Sequence, residues 1–291
     1  VVLYIKLLLA AFFWGGTFIA GKLIANRVDP FSAAFLRFFI ASFFLLILAT
    51  REQGGFAPIN RGQFVTLFLL GMTGVFAYNA FFLKGLQYIN AGRASLIIAN
   101  NPVFITLFAA LLFREKLSWA KVTGIVLSVT GAIIVVSKGN PTDILRGGVG
   151  WGEVLILGCV ASWVSYTLIG KAVMKDLSPF ASVLYSSLLG TAALLPPALA
   201  EGMVKAIPGY SVLDWVCMAY LGVFGTVLGF VWYYEGIKAL GPTRAGQFIN
   251  FVPICAIVLS FFILGEPVTL SLLVGAAFVI SGVSLTNRRS G

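Results

Sequence analysis

Apolar runs of about 20 residues, separated by short polar or Gly/Pro-rich punctuation, follow one another along the whole 291-residue chain. A helix of that length rises about 30 Å, enough to cross the hydrocarbon of a bilayer. The pattern predicts ten such spans, near 3–21, 31–50, 63–83, 94–113, 118–137, 151–170, 179–199, 211–233, 244–264 and 267–286. The connections, such as 26–30, 54–60, 138–150 and 201–209, are too short to hold a soluble domain. The expected fold class is an all-α integral membrane protein with ten transmembrane helices.

These spans are related to one another. The stretch 91–117 returns as 242–268: at a constant offset of 151, Arg93, Ala94, Ile98, Pro102 and Glu115 match Arg244, Ala245, Ile249, Pro253 and Glu266. The same offset matches Gly71, Gly74, Gly85, Gly124 and Gly131 to Gly222, Gly225, Gly236, Gly275 and Gly282. Nearer the start the offset is 149, and Trp14, Gly21, Lys22, Pro30 and Phe31 match Trp163, Gly170, Lys171, Pro179 and Phe180. Two five-helix repeats are predicted, 1–140 and 147–291. Five is odd, so equivalent helices cross the membrane in opposite directions, the inverted-repeat design that many secondary transporters use for alternating access. The first span has a twin in the second repeat and lacks a small-residue cleavage pattern, which argues against a removable leader.

Composition supports the membrane reading: 59% of residues are hydrophobic and 10% charged, against about 25% charged in ordinary soluble domains. Lys and Arg number 20 against 10 Asp and Glu, but they stand singly between apolar spans, which points to membrane topology rather than nucleic acid. With the N-terminus inside, the second repeat puts six basic residues on the cytoplasmic side and one outside, while the first divides six and six. Both termini are therefore expected in the cytoplasm. The chain has no histidine, which removes the commonest general base and metal ligand. Cys159, Cys217 and Cys255 lie far apart in apolar runs and read as packing residues. No cofactor or metal is expected. The expected partners are a small-molecule substrate and the lipid bilayer; monomer and homodimer are equally compatible with the sequence.

Candidate substrate contacts come from polar and aromatic residues at membrane depth. Pro102 and Pro253 deprive the Ile98 and Ile249 carbonyls of their helical donors, and such carbonyls need side chains, water or ligand. Asn100, Asn101, Gln247 and Asn250 can supply donors there, or meet a substrate's ammonium and carboxylate. Trp14 with Thr17, and Trp163 with Tyr166, form duplicated pairs three residues apart, on one helical face; they read either as cavity lining or as interhelical packing. Tyr78 and Asn79 lie deeper than Lys84 and suit a cavity, whereas Trp232, Tyr233 and Tyr234 read as an interface belt. Arg37, well inside the second span, is a candidate for a substrate carboxylate, with snorkelling to the interface as its alternative. Glu115 and Glu266 sit in tight turns and read as caps of the helix that follows each, Pro267 suiting a first helical position. Gly124 and Gly131, with Gly275 and Gly282, mark close helix packing. No carboxylate is unambiguously deep in a span: Glu153 and Glu235 stand at edges and the others in loops. Facilitated or weakly coupled transport is therefore expected.

The run Trp14, Gly15, Gly16, Thr17, Phe18, the Pro30-Phe31 start followed by Arg37 and Phe38, the 91–102 segment and the Glu115 and Glu266 hinges followed by glycines resemble the EamA family of the drug/metabolite transporter superfamily. The resemblance covers nearly all of both halves. It implies ten spans, an inverted repeat, a bacterial inner-membrane location and export of small metabolites. Within the family the chain is similar to YddG-type amino-acid exporters, which are linked with aromatic amino acids.

The leading function is thus a non-enzymatic secondary transporter of small metabolites, chiefly amino acids. A nucleotide-sugar, sugar-phosphate or drug carrier of the same superfamily is the alternative, although anionic sugar cargo asks for several mid-membrane basic residues and only Arg37 qualifies. No Walker A sequence is present. A membrane-embedded enzyme lacks its catalytic groups, and the duplication argues against a permanently open channel.

Overall fold

The computed structural model describes residues 1–51, 56, 58–113, 117–140, 149–173, 177–240, 245 and 248–286. Glu115 and Gln247 lie outside the described residues. Among the described residues every regular element is helical: α1 (Val2–Ile24), α2 (Pro30–Ala49), α3 (Arg61–Leu70), α4 (Tyr78–Tyr88), α5 (Ala91–Ile98), α6 (Asn101–Phe113), α7 (Trp119–Val136), α8 (Trp151–Val173), α9 (Pro179–Ala200), α10 (Met203–Ala206), α11 (Val212–Gly222), α12 (Gly229–Leu240), α13 (Phe251–Leu259) and α14 (Leu270–Thr286). A wider π-helical turn, Gly71–Ala77, joins α3 to α4, and another, Val223–Leu228, joins α11 to α12 at the equivalent place of the second half.

Local chemistry explains where helices begin. Asn60 and Ser211, at equivalent positions, each form a reciprocal capping box, with Gln63 and Asp214 as partners. Pro30 and Pro179 start α2 and α9, where the missing N–H costs nothing.

Eight described helical segments are long and apolar enough to cross a membrane; two further apolar segments, Phe248–Leu264 and Leu270–Thr286, are shorter, and the second falls within the expected 267–286 span. Gly265, at φ 65°, ends the first of these in the left-handed region. The final helix starts at Leu270 rather than Pro267, because Thr269 is its cap: the Thr269 hydroxyl accepts the Leu272 N–H at 3.2 Å. Asp214, expected in a loop, lies buried in the first turn of α11.

Helix α2 packs along α9, α7 along α14, α4 against α8, and α1 against α12 and α13. At the α7–α14 crossing the backbones touch. A Cβ on Gly282 would meet the Gly124 carbonyl oxygen at 2.6 Å, and one on Gly131 would meet that of Gly275 at 2.8 Å. Small residues such as Ala33, Ala34, Ala41, Ala94, Ala181 and Ala256 are buried between helices, while large apolar groups such as Phe43 (59% exposed) and Phe262 (77%) face outward. Small inside and large apolar outside is the distribution expected of helices packed in lipid.

Candidate functional site

The duplicated tryptophans converge through one ring from the second half. Phe230 has its centroid 5.7 Å from Trp14 and 6.5 Å from Trp163. Tyr233 stands edge-on to Trp14 at 5.3 Å, Tyr166 stacks on Trp163 at 5.2 Å, and Tyr78 lies 5.6 Å from Trp163. All six rings are half-buried. Tyr233, expected in an interface belt, therefore belongs to this cluster; Trp232 instead packs on Phe13 at 5.6 Å.

The π-helical turns supply the polar part. A π turn shifts the backbone register and leaves carbonyls to other donors, and at membrane depth those donors come from side chains. The Trp14 indole Nε1–H donates to the Gly225 carbonyl at 2.9 Å, Asn79 Nδ2 to that of Val75 at 2.7 Å, and the Thr226 hydroxyl to that of Leu221 at 3.1 Å. Arg37 does not snorkel. It is 7% exposed, donating through Nη1 to Asn79 Oδ1 at 2.7 Å and through Nη2 to the Thr226 hydroxyl at 3.3 Å, with Phe38 5.1 Å below its Cζ. Its Nε–H is buried without a partner, and among the described residues no carboxylate pairs with it.

Gly225 is where these groups meet. A Cβ there would lie 2.6 Å from the Thr17 methyl and 3.7 Å from Arg37 Nη2. Thr17 turns its hydroxyl back to the Trp14 carbonyl at 2.6 Å. One residue type thus lets three helices approach a single backbone position.

Other expected contacts lie elsewhere. Asn100 donates to the Leu96 carbonyl at 2.9 Å and accepts from Ser128 Oγ at 2.7 Å, tying the break to α7, and Asn250 donates to Ser284 Oγ at 3.2 Å on α14. The Asn101 amide oxygen is buried without a partner. The helix break precedes Pro102, which occupies the first turn of α6 where no N–H is required, and the Asn100 amide serves Leu96 and Ile97 rather than Ile98. Pro253 sits likewise in the first turn of α13, after a 3₁₀ turn at Phe248–Asn250.

One end of the bundle carries ties between distant parts of the chain. Glu266 accepts the Ala91 N–H at 2.8 Å and the Gly92 N–H at 3.2 Å, so it caps α5 and not its own following helix. Glu201 does the same for α2, accepting from Ser32 N–H at 2.8 Å and Phe31 N–H at 3.2 Å. Arg93 donates to the Val135 and Val136 carbonyls and pairs with Glu153 at 2.8 Å. Arg27 pairs with Asp214 at 3.0 Å, and Lys22 donates to the carbonyls of Leu86 at 2.7 Å and Ile89 at 2.8 Å. Burial pushes the Tyr210 hydroxyl, in the connection beside these groups, up from its ordinary pKa. A cleft of about 820 Å³ opens on this face, lined in part by Asn90, Arg93, Lys138, Glu266 and Thr269; the tryptophans do not reach it.

The model of the EamA-like transporter family matches the chain twice, over residues 2–137 and 150–288. The chain belongs to the EamA-like transporter family. Among its relatives, the uncharacterized transporter YetK of Bacillus subtilis is 30% identical over 97% of this chain and 86% of its own length. The uncharacterized transporter YyaM of the same organism is 28% identical over 97% and 92%. A probable terminal-alkyne amino-acid exporter of Streptantibioticus cattleyicolor is 31% identical over 76% of this chain and 72% of its own. One solved crystal structure superposes with a TM-score of 0.65 over 98% of this chain and 96% of its own at 16% identity, a likeness that shows the fold alone.

For an EamA-like transporter, the residues that the sequence did not single out are Phe230, Thr226 and Gly229, and Gly225 stood out only as a repeat glycine. Phe230 and Gly229 are the 151-offset counterparts of Asn79 and Tyr78, so the signal lay in positions where the two halves differ. A Cβ at Gly229 would stand 2.5 Å from Trp14 Nε1; its absence is what admits the indole to the Gly225 carbonyl.

Proposed function

We propose that this multi-pass membrane transporter exports amino acids by alternating access of two inverted five-helix repeats, 1–140 and 147–291, about a central site. That site is lined by Trp14, Thr17, Arg37, Tyr78, Asn79, Trp163 and Tyr166, with Phe230, Tyr233 and Thr226 added. The observation that carries the reading is the buried Arg37 cation, which has only neutral partners among the described residues and lies beside a cluster of half-buried rings. An amphipathic zwitterion has complementary parts: a carboxylate for the guanidinium and a side chain for the rings. The amino-acid exporter among the relatives supports the same class.

Support for inversion comes from the tied face. Helix α1 ends there while its counterpart α8 begins there; α2 begins and α9 ends there; α4 ends and α11 begins there. By the count of basic residues both termini face the cytoplasm of a bacterial inner membrane, which puts the tied face outside. The resemblance to YddG-type exporters remains part of this proposal. Transport is facilitated or weakly coupled, since the buried carboxylates Glu153 and Asp214 are each engaged by an arginine.

Counterflow in liposomes tests the class. Unlabelled amino acids, a nucleotide sugar and an organic cation are preloaded in turn, and entry of a labelled amino acid is followed. Exchange driven by amino acids and reduced by Trp163→Ala, with folded protein retained, supports the reading; exchange driven only by another cargo overturns it. Strict dependence on a pH gradient, abolished by changing one carboxylate, would refute weak coupling.

A further inference from the structure

The two halves build the same frame and then furnish it differently. Gly74 is pressed by Tyr166, and its counterpart Gly225 by Thr17, which is the counterpart of Tyr166. A Cβ on Gly71 would meet the Ser186 carbonyl oxygen at 2.8 Å, and one on Gly222 would meet that of Arg37 at 2.7 Å; Ser186 and Arg37 are again counterparts. Gly85 seats Ile156 at 2.8 Å as Gly236 seats Leu7 at 2.5 Å. Three pairs of glycine seats thus obey one two-fold exchange.

On this symmetric frame the cation and its amide partner occur once. Arg37, Asn79 and Thr226 are bonded together, whereas their counterparts are Ser186, Phe230 and Val75. The frame presents two equivalent poles, and only one carries a cation. At the other, Phe230 and Tyr166 crowd Trp163. The unpartnered Nε–H of Arg37 is a donor that a further acceptor can satisfy.

We infer that the substrate binds in one orientation, its carboxylate at the Arg37–Asn79–Thr226 pole and its side chain against the Phe230–Trp163 ring pair, so that Arg37 selects for the carboxylate and residue 230 for the side chain. This rests on the reading of the protein as an amino-acid transporter. A buried cation with neutral partners gains most from an anion, because a charge-assisted hydrogen bond is about twice as strong as a neutral one and water competes weakly there. An uncharged amide or a decarboxylated amine loses that contact. Phe230 faces both tryptophans and has no polar group to contribute, so its volume bears on side-chain size.

The test is competition against labelled phenylalanine exchange in proteoliposomes of the full chain, by phenylalanine, phenylalaninamide and phenethylamine. Phenylalanine is expected to compete about tenfold or more better than the amide and the amine, the discrimination a charge-assisted contact supplies. That wild-type ratio needs no variant. Arg37→Gln is expected to collapse the acid-to-amide ratio toward one. Phe230→Ala is expected to leave that ratio unchanged and to improve competition by tryptophan relative to phenylalanine. If phenylalanine exchanges while acid and amide compete equally in the wild type, the orientation is wrong and the transport reading stands. If Phe230→Ala alters the acid-to-amide ratio and not the side-chain preference, the assignment of the poles is overturned. If no amino acid exchanges and another cargo does, the underlying reading fails and the inference with it.

Discussion

The carboxylate of Glu266 accepts the backbone N–H of Ala91 at 2.8 Å, joining the end of one long apolar segment to the start of another 175 residues away. The first turn of a helix has donors with no partner inside the helix, and α5 finds its acceptor in the other half of the chain. Glu201 repeats the arrangement on α2.

Glu266→Ala is expected to lower stability by about 1–2 kcal/mol, the usual loss on removing a helix N-terminal acceptor. Glu266→Gln, which retains one acceptor oxygen, should recover part of it. Thermal unfolding of the purified protein in detergent reads both, and an unchanged midpoint for the alanine variant would contradict the cap.

Arg93–Glu153 and Lys6–Glu235 are both ion pairs, at 2.8 and 2.6 Å, but their side chains are 13% and 5% exposed in the first and 33% and 44% in the second. A double-mutant cycle on the first should give a coupling of about 1–3 kcal/mol, since removing either partner strands a desolvated charge. The second should give less than about 1 kcal/mol despite its shorter distance. Equal couplings would mean that burial does not decide between them.

Trp14→Phe keeps most of the ring and removes the indole N–H, leaving the Gly225 carbonyl at membrane depth without its donor. Gly229→Ala leaves the tryptophan and removes its seat. Both are expected to reduce amino-acid counterflow by about tenfold, the effect of losing roughly one buried hydrogen bond. Full activity in Gly229→Ala would show that the indole has another way to reach its position.

Gly282→Ala places a methyl group 2.6 Å from the Gly124 carbonyl oxygen, so α7 and α14 must separate. A loss of about 1–3 kcal/mol is expected from such overpacking, read as a lower unfolding temperature. Gly209→Ala, with no atom within 4 Å of the new group, is the control and should melt as the wild type does.

Much of the architecture is legible in the sequence. Hydropathy over twenty residues is a property of the chain, so helices near 3–21 or 31–50 needed no partner to be recognised, and α1 and α2 lie there. The internal offset matched Pro30 to Pro179, which begin equivalent helices. The ends of helices were less legible. Pro267 reads locally as a helix start, yet Thr269 caps the last helix while Glu266 serves α5, because an unpaired N–H takes the nearest acceptor whatever its place in sequence.

The same division holds at the site. Trp14, Arg37 and Tyr78 stood out from the sequence because large polar or aromatic groups at membrane depth need a reason. Tyr233 and Phe230 did not, since a ring near a helix end and a phenylalanine in an apolar run are both ordinary there. What groups them with the tryptophans is the crossing of α1, α8 and α12, which brings Phe230 within ring contact of both and Tyr233 of Trp14. Composition, span length and duplication are carried by residues close together in the chain or related by a fixed offset, and so could be read from sequence. Which carbonyl Trp14 reaches, which helix Glu266 caps and which side chains hold Arg37 depend on distances between segments far apart in sequence, and only packing in three dimensions decides those.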